Sequence, residues 1–187
     1  MLLSMPLPLR TTAAWGEFGE IQPLPWVYGR RSVVPIPYSQ DRTKYLVADH
    51  AIAGADGVRV GGSDASFVWR NAVDSAGHAV ALIELATAPE SGSAISVALR
   101  GALHPRTGVL LENPADIAWD VLARSGIATA ESEWMAFRRQ CMNAGLVCGG
   151  TFAEIVTVRS ALDDLLGSIG AVWSAGARGW ARLWPSN

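Results

Sequence analysis

Ala79-Val-Ala-Leu-Ile-Glu-Leu85 and Ala94-Ile-Ser-Val-Ala-Leu-Arg100 are two apolar runs separated by the turn formers Glu90-Ser-Gly-Ser93. Branched aliphatic side chains at this density suit a pleated, buried surface, and each run is too short for an ordinary helix. The same texture recurs toward the N-terminus in Trp26-Val-Tyr28, Ser32-Val-Val-Pro-Ile36, Lys44-Tyr-Leu-Val-Ala-Asp49, Gly57-Val-Arg-Val60 and Ser66-Phe-Val-Trp-Arg70. Asp56-Gly57, Gly61-Gly-Ser-Asp64 and Asp74-Ser-Ala-Gly77 punctuate them. Short strands at such spacing predict a mostly antiparallel sheet or small sandwich over 26–104.

The texture changes after Pro105-Arg-Thr-Gly108. Asn113 with Pro114 predicts a capped helix whose buried side carries Ile117, Val121 and Leu122, closing at Gly126. A second helix is expected from about Ala130, with Glu131 and Glu133 in its first turn and Arg138 and Arg139 near its end, as the helix dipole favours. Trp134, Phe137 and Cys141 form its apolar stripe and Gly145 its stop. Thr151-Phe-Ala-Glu-Ile-Val156 reads as a strand, and Thr157 as the cap of a third helix burying Val158, Leu162, Leu165, Leu166 and Ile169. After Gly170, Ala171-Val-Trp-Ser174 is expected to pair back with the last run, Trp180 to Trp184. The predicted class is therefore α+β: an extended N-terminal arm over 1–25, a β-rich domain over 26–104, and a smaller helix-helix-strand-helix-hairpin unit over 105–187.

At 187 residues, half of them hydrophobic and 17% charged, the chain can bury a real core. The formal charge is −2, and Lys44 is the single lysine beside a scatter of arginines. No basic stripe is present to neutralise a row of phosphates, so nucleic-acid binding is not expected. Met1-Leu-Leu-Ser-Met-Pro-Leu-Pro-Leu-Arg10 has no basic start and is broken by Pro6 and Pro8, unlike a signal peptide, and no apolar run reaches the ~18 residues of a membrane span. The expectation is synthesis in the cytoplasm.

Chemistry-bearing residues read blandly. Cys141 and Cys148 supply only two of the three or four ligands a metal needs, and are expected as packed thiols, with a disulfide as the alternative. His50, His78 and His104 accompany no nucleophile motif. Gly61-Gly62 and Gly149-Gly150 lack the spacing of a phosphate loop and read as turns. Asp163 and Asp164 are adjacent on a helix and diverge around its axis. No catalytic, cofactor or metal residue is expected. Glu84 is the one oddly placed charge: strand alternation puts it on a face with Val80 and Leu82, either to meet an arginine of a neighbouring strand or subunit, or as an edge charge that discourages wrong pairing.

Eight tryptophans are many for this length. Trp69, Trp119, Trp134 and Trp173 fall on predicted core faces. Trp15, Phe18, Trp180, Leu183 and Trp184 lie near the termini, where burying ~200 Å² per Trp requires a neighbour, so they are the expected interface residues.

Pro23-Leu-Pro-Trp-Val-Tyr-Gly-Arg30, Tyr45-Leu-Val-Ala-Asp-His50 and Val73-Asp-Ser-Ala-Gly77 resemble the opening region of tail tip or baseplate hub proteins of long-tailed bacteriophages and gene-transfer particles. Val158-Arg-Ser-Ala-Leu162, Ser168-Ile-Gly-Ala-Val-Trp173 and Gly179-Trp-Ala-Arg-Leu-Trp184 are similar to the part of such hubs that builds a ring. The likeness covers roughly 20–185, whereas full hubs continue for several hundred residues. The resemblance implies a non-enzymatic virion protein without cofactor, an oligomeric adaptor between tail tube and tip or fibres. Its partners would be other tail or baseplate proteins and copies of itself, in a ring such as a trimer. The alternatives are a receptor- or carbohydrate-binding module and a tail-associated cell-wall hydrolase using Cys141 or Cys148 with a His.

Overall fold

The β runs pair into two four-stranded antiparallel sheets. The computed structural model describes residues 2–15, 21–74, 76–174 and 181–183, with residues 2, 14, 15 and 181–183 described by their backbone alone. By compactness the chain forms two units, one of Leu9–Leu110 with Gly150–Glu154, the other of Met1–Pro8, Leu111–Gly149 and Ile155–Asn187. Together they make an α+β protein, its strands mostly in the first half and its helices in the second.

In the β-rich unit the strands are β1 (Trp26–Tyr28), β2 (Arg30–Val33), β3 (Ile36–Pro37), β4 (Lys44–Ala48), β5 (Ile52–Val60), β6 (Ser63–Asp64), β7 (Phe67–Val73), β8 (Ala79–Leu85) and β9 (Ile95–Ala102). One sheet has the order β2-β9-β5-β6 and the other β3-β4-β8-β7. Val33, Val58, Val97 and Leu99 of the first pack with Tyr45, Val47, Ile83 and Leu85 of the second, so the two form a sandwich around one core. The Asn71 side chain links β7 to the first sheet, accepting from the Ile52 N–H at 2.9 Å and donating to the Ile52 carbonyl at 3.0 Å.

β8 does not alternate because both of its faces are covered. Ala81, Ile83 and Leu85 point into the sandwich, while Val80 and Leu82 lie with Leu46 and Ile36 beneath the fully buried Leu24. A strand buried on both sides needs a continuous apolar run, which is why this stretch decides the architecture. β1 pairs with β10 (Gly150–Phe152), Trp26 opposite Phe152 and Tyr28 opposite Gly150.

The second unit holds α1 (Pro114–Arg124), α2 (Glu131–Asn143), α3 (Val158–Gly167) and the hairpin of β11 (Ala171–Trp173) and β12 (Ala181–Leu183). Asn113 caps α1 by accepting the Ala115 N–H at 2.9 Å, and Thr157 caps α3 by accepting that of Ser160 at 3.1 Å. Trp134, Phe137 and Cys141 are the buried residues of α2, as their spacing predicts. Arg138 of α2 donates from Nε to both carboxylate oxygens of Asp116 on α1, at 2.9 and 3.0 Å. The rings of Trp119 and Trp134 lie 5.4 Å apart.

Three expectations are revised. The strand foreseen over 151–156 ends at Phe152, because the Val156 carbonyl accepts instead from Leu7 and the Val158 N–H donates to Met5. The N-terminal segment thus borders the start of α3. Of the four tryptophans placed in the core, only Trp134 is buried; Trp69, Trp119 and Trp173 are half-buried, and Trp26, not foreseen, is buried as well. Glu84 is no edge charge, since β8 is flanked by β4 and β7.

Candidate functional site

The outer face of the second sheet, the one turned away from the sandwich, is where the chain leaves its surface unfinished. It is held at one end by a clasp. Residues 10–12 and 22–24 run as two legs, joined by the Leu24 N–H donating to the Arg10 carbonyl (2.7 Å) and that of Thr12 to Gln22 (3.0 Å). The second leg lays Leu24 over Leu46, Val80 and Leu82.

Arg10 fixes the base of this cover. Its guanidinium meets Asp74 just beyond β7 at 2.6 Å and Asp49 just beyond β4 at 2.5 Å, and donates to the Ala79 carbonyl that opens β8 at 2.9 Å. Both carboxylate side chains are nearly inaccessible, 4% and 3% exposed, so one planar cation neutralises two buried anions. Asp74 also accepts the N–H groups of His78 (2.8 Å) and Ala76 (2.9 Å). The His78 N–H, then that of Ala76, then Arg10 hold its carboxyl below the usual range, against the opposing effect of burial. Trp26 donates its indole N–H to Asp49 at 3.3 Å.

At the opposite end of the same face the cover stops. Along β8, Leu82 is followed by Glu84, which stands between Lys44 on β4 and Val68 on β7 in the sheet register. Arg70 lies one row back, opposite Leu82. Tyr38, Val68, Arg70, Leu82 and Glu84 line a shallow depression of about 170 Å³. Val68 is 71% exposed, and Arg70 and Glu84 are exposed as well. Among the described residues, Lys44, Arg70 and Glu84 make no ion pair. A central strand carrying an unpaired carboxylate beside an exposed valine and an unpaired guanidinium presents an amphipathic patch.

The other chemistry-bearing residues do not converge. His50 is buried, its Nε2 accepting the Val27 N–H and its Nδ1 facing the Ala51 carbonyl, both at 2.9 Å, so the main chain occupies both ring nitrogens. His78 is exposed beside Asp74, and His104 is buried, accepting the Arg106 N–H. All three histidines belong to the β-rich unit, and both cysteines to the helical one. Asp163 and Asp164 are exposed, and Asp163 accepts the indole N–H of Trp173 at 2.8 Å while Arg159 covers that ring. No metal-binding group is found among the described residues, and no described helix is long and apolar enough to cross a membrane.

Both cysteines are free thiols. Burial pushes the Cys141 thiol up to about 11, so it stays neutral at physiological pH. Iodoacetamide at neutral pH is expected to modify the half-buried Cys148 well ahead of Cys141, which should react only on unfolding; rapid labelling of Cys141 in the native protein would overturn its assignment to the core. Because its folded value lies above the unfolded one, its contribution to stability is lost as pH climbs from the ordinary thiol value toward 11.

Of the residues expected at interfaces, none has a described side chain. Phe18, Trp180 and Trp184 are not described, and Trp15, in the short turn Thr12–Trp15, and Leu183, in β12, are described by backbone alone. The depression around Glu84 was legible only as one unexplained charge. Comparisons of the chain with protein-family models, curated proteins and solved structures find no match. The resemblance to tail-tip hubs rests on the motifs quoted above.

Proposed function

We propose that this protein is a non-enzymatic structural component of a phage tail tip or baseplate hub, made in the host cytoplasm and carried in the virion. It acts as an adaptor between the tail tube and the tip or fibres, in several copies. The observation that carries the docking role is the half-finished outer face of the second sheet, closed by Leu24 and Arg10 at one end and open around Val68 and Glu84 at the other. The tail-tip assignment comes from the resemblance. Such a protein works by holding partners in fixed geometry through surface complementarity. The buried, neutral thiol of Cys141 weighs against that residue as the nucleophile of the hydrolase alternative.

The test is location. Antibody against this chain should decorate the distal end of purified tailed particles in negative-stain images, and the chain should be found by mass spectrometry of those particles. Recovery only from the soluble fraction of the producing cells, with none in washed particles, would overturn the proposal.

A further inference from the structure

Asp49 and His50, just beyond β4, hold residues 25–28 at one corner of the β-rich unit. The Asp49 N–H donates to the Pro25 carbonyl at 2.8 Å, the Trp26 indole to the Asp49 carboxylate at 3.3 Å, and the Val27 N–H to Nε2 of His50 at 2.9 Å. The rings of Tyr28 and His50 lie 6.1 Å apart. His50 is buried, and its partners fix where its proton sits. The Ala51 carbonyl, 2.9 Å from Nδ1, can only accept, and the Val27 amide can only donate. Nδ1 therefore carries the hydrogen and Nε2 is bare. A second proton has to go on Nε2, where it would face the Val27 N–H and set two buried donors head to head.

We propose that His50 is an acid-sensitive latch on β1: a proton taken up at Nε2 ejects the Val27 N–H and releases residues 25–28 from Asp49 and His50. The inference does not depend on the tail-tip reading. Around the ring, the titratable and charged groups among the described residues are Tyr28 from β1, Asp49 beside it in the chain, and Arg10 from the N-terminal leg, which binds Asp49 and, beyond it, Asp74. Asp49 alone would favour an imidazolium, but its charge is already shared with Arg10 and with the Trp26 indole. Burial and the lost Val27 bond both act against the cation. The folded ring thus resists a proton that the unfolded ring accepts in the ordinary imidazole range, which is the condition for acid to drive opening. β1 is three residues long and lies outside the two four-stranded sheets, so it can part from His50 while their ladders stay paired.

The test is amide hydrogen exchange of the full chain, corrected for the intrinsic rate, in wild type and in His50→Gln. Glutamine keeps an acceptor for Val27 and does not titrate. The opening constant of the Val27 amide in wild type should rise by up to about tenfold for each pH unit below about 6.5. In His50→Gln it should stay level, while in both proteins the amides of β5 and β9 remain protected. His78 and His104 are present in both and cancel in the comparison. The same pH slope in the two proteins would overturn the inference, as would β5 and β9 losing protection together with Val27. A measurement on wild type alone guards against a variant that does not fold: long-range proton–nitrogen spectra of the imidazole at about pH 5.5, one unit below the ordinary value. They should show His50 neutral, with its hydrogen on Nδ1, in molecules whose Val27 amide is protected. An imidazolium at His50 beside a protected Val27 would show that the ring takes its proton without releasing β1, and the latch would have to be given up.

Discussion

Gly101→Ala is expected to destabilise the β-rich unit by about 3 kcal/mol or more, and to lower its melting temperature by roughly 6–12 °C. A Cβ at this position would lie 2.3 Å from the Val27 carbonyl oxygen, 2.6 Å from its carbon and 2.9 Å from the Tyr28 Cα. These are backbone atoms, which cannot rotate aside as a long side chain would. β1 crosses β9 here, and the Gly101 N–H donates to the Gly29 carbonyl at 2.7 Å. Moving β1 away would break that bond and dislodge Trp26, Val27 and Tyr28, all of them buried. Gly57→Ala is the control, because nothing lies within 4 Å of a Cβ there. Its effect should stay within about 1 kcal/mol. Urea unfolding followed by circular dichroism separates the two, and a Gly101→Ala protein as stable as the control would show that β1 yields without cost.

Arg10→Met should be the next most damaging change, on the order of 2–3 kcal/mol once the partial exposure of Arg10 is allowed for. It leaves Asp49 and Asp74 near one another, both nearly inaccessible, with no cation between them. Arg10→Lys should recover only part of the loss, since one ammonium cannot reproduce a planar fork serving two carboxylates and the Ala79 carbonyl. The pH dependence identifies the cause. Asp74 is held below its ordinary value in the folded chain, so the unfolded chain binds the proton first as pH falls. The stability it contributes is complete above about pH 4–5 and is lost as pH drops through the lower, folded value. The gap between wild type and Arg10→Met should therefore narrow on acidification. A gap that is constant from neutral to strongly acidic pH would mean that Arg10 acts through packing and not through its charge.

Much of the fold was legible because its signals are local. Asn113 with Pro114, Thr157, and the glycines that follow α1 and α2 mark helix ends by the hydrogen bonds and dihedrals each residue type allows. The β runs declared themselves by branched side chains between turns. Where a run's fate depended on distant residues, local reading failed. Nothing in Thr151-Phe-Ala-Glu-Ile-Val156 indicates that the main chain of Val156 is taken by Leu7. Trp26 was overlooked because its burial depends on residues distant in sequence, Asp49 and the β10 strand that sets Phe152 opposite it.

The same division holds for the candidate site. Alternation along Ala79 to Leu85 placed Glu84 on one face with Val80 and Leu82, and the structure shares that face. It could not say whether β8 was an edge or a centre, because that depends on pairing with β4 and β7. The sequence by itself determined where most of the strands and the helices α1, α2 and α3 lie, the caps Asn113 and Thr157, and the apolar stripe of each helix, since these follow from side-chain shape and spacing within a few residues. Only the tertiary structure decided that Arg10 joins Asp49 to Asp74, that Leu24 stops short of Glu84, and that Arg70 lies diagonally across from it, because each depends on residues brought together by strand order and register across tens of positions of chain.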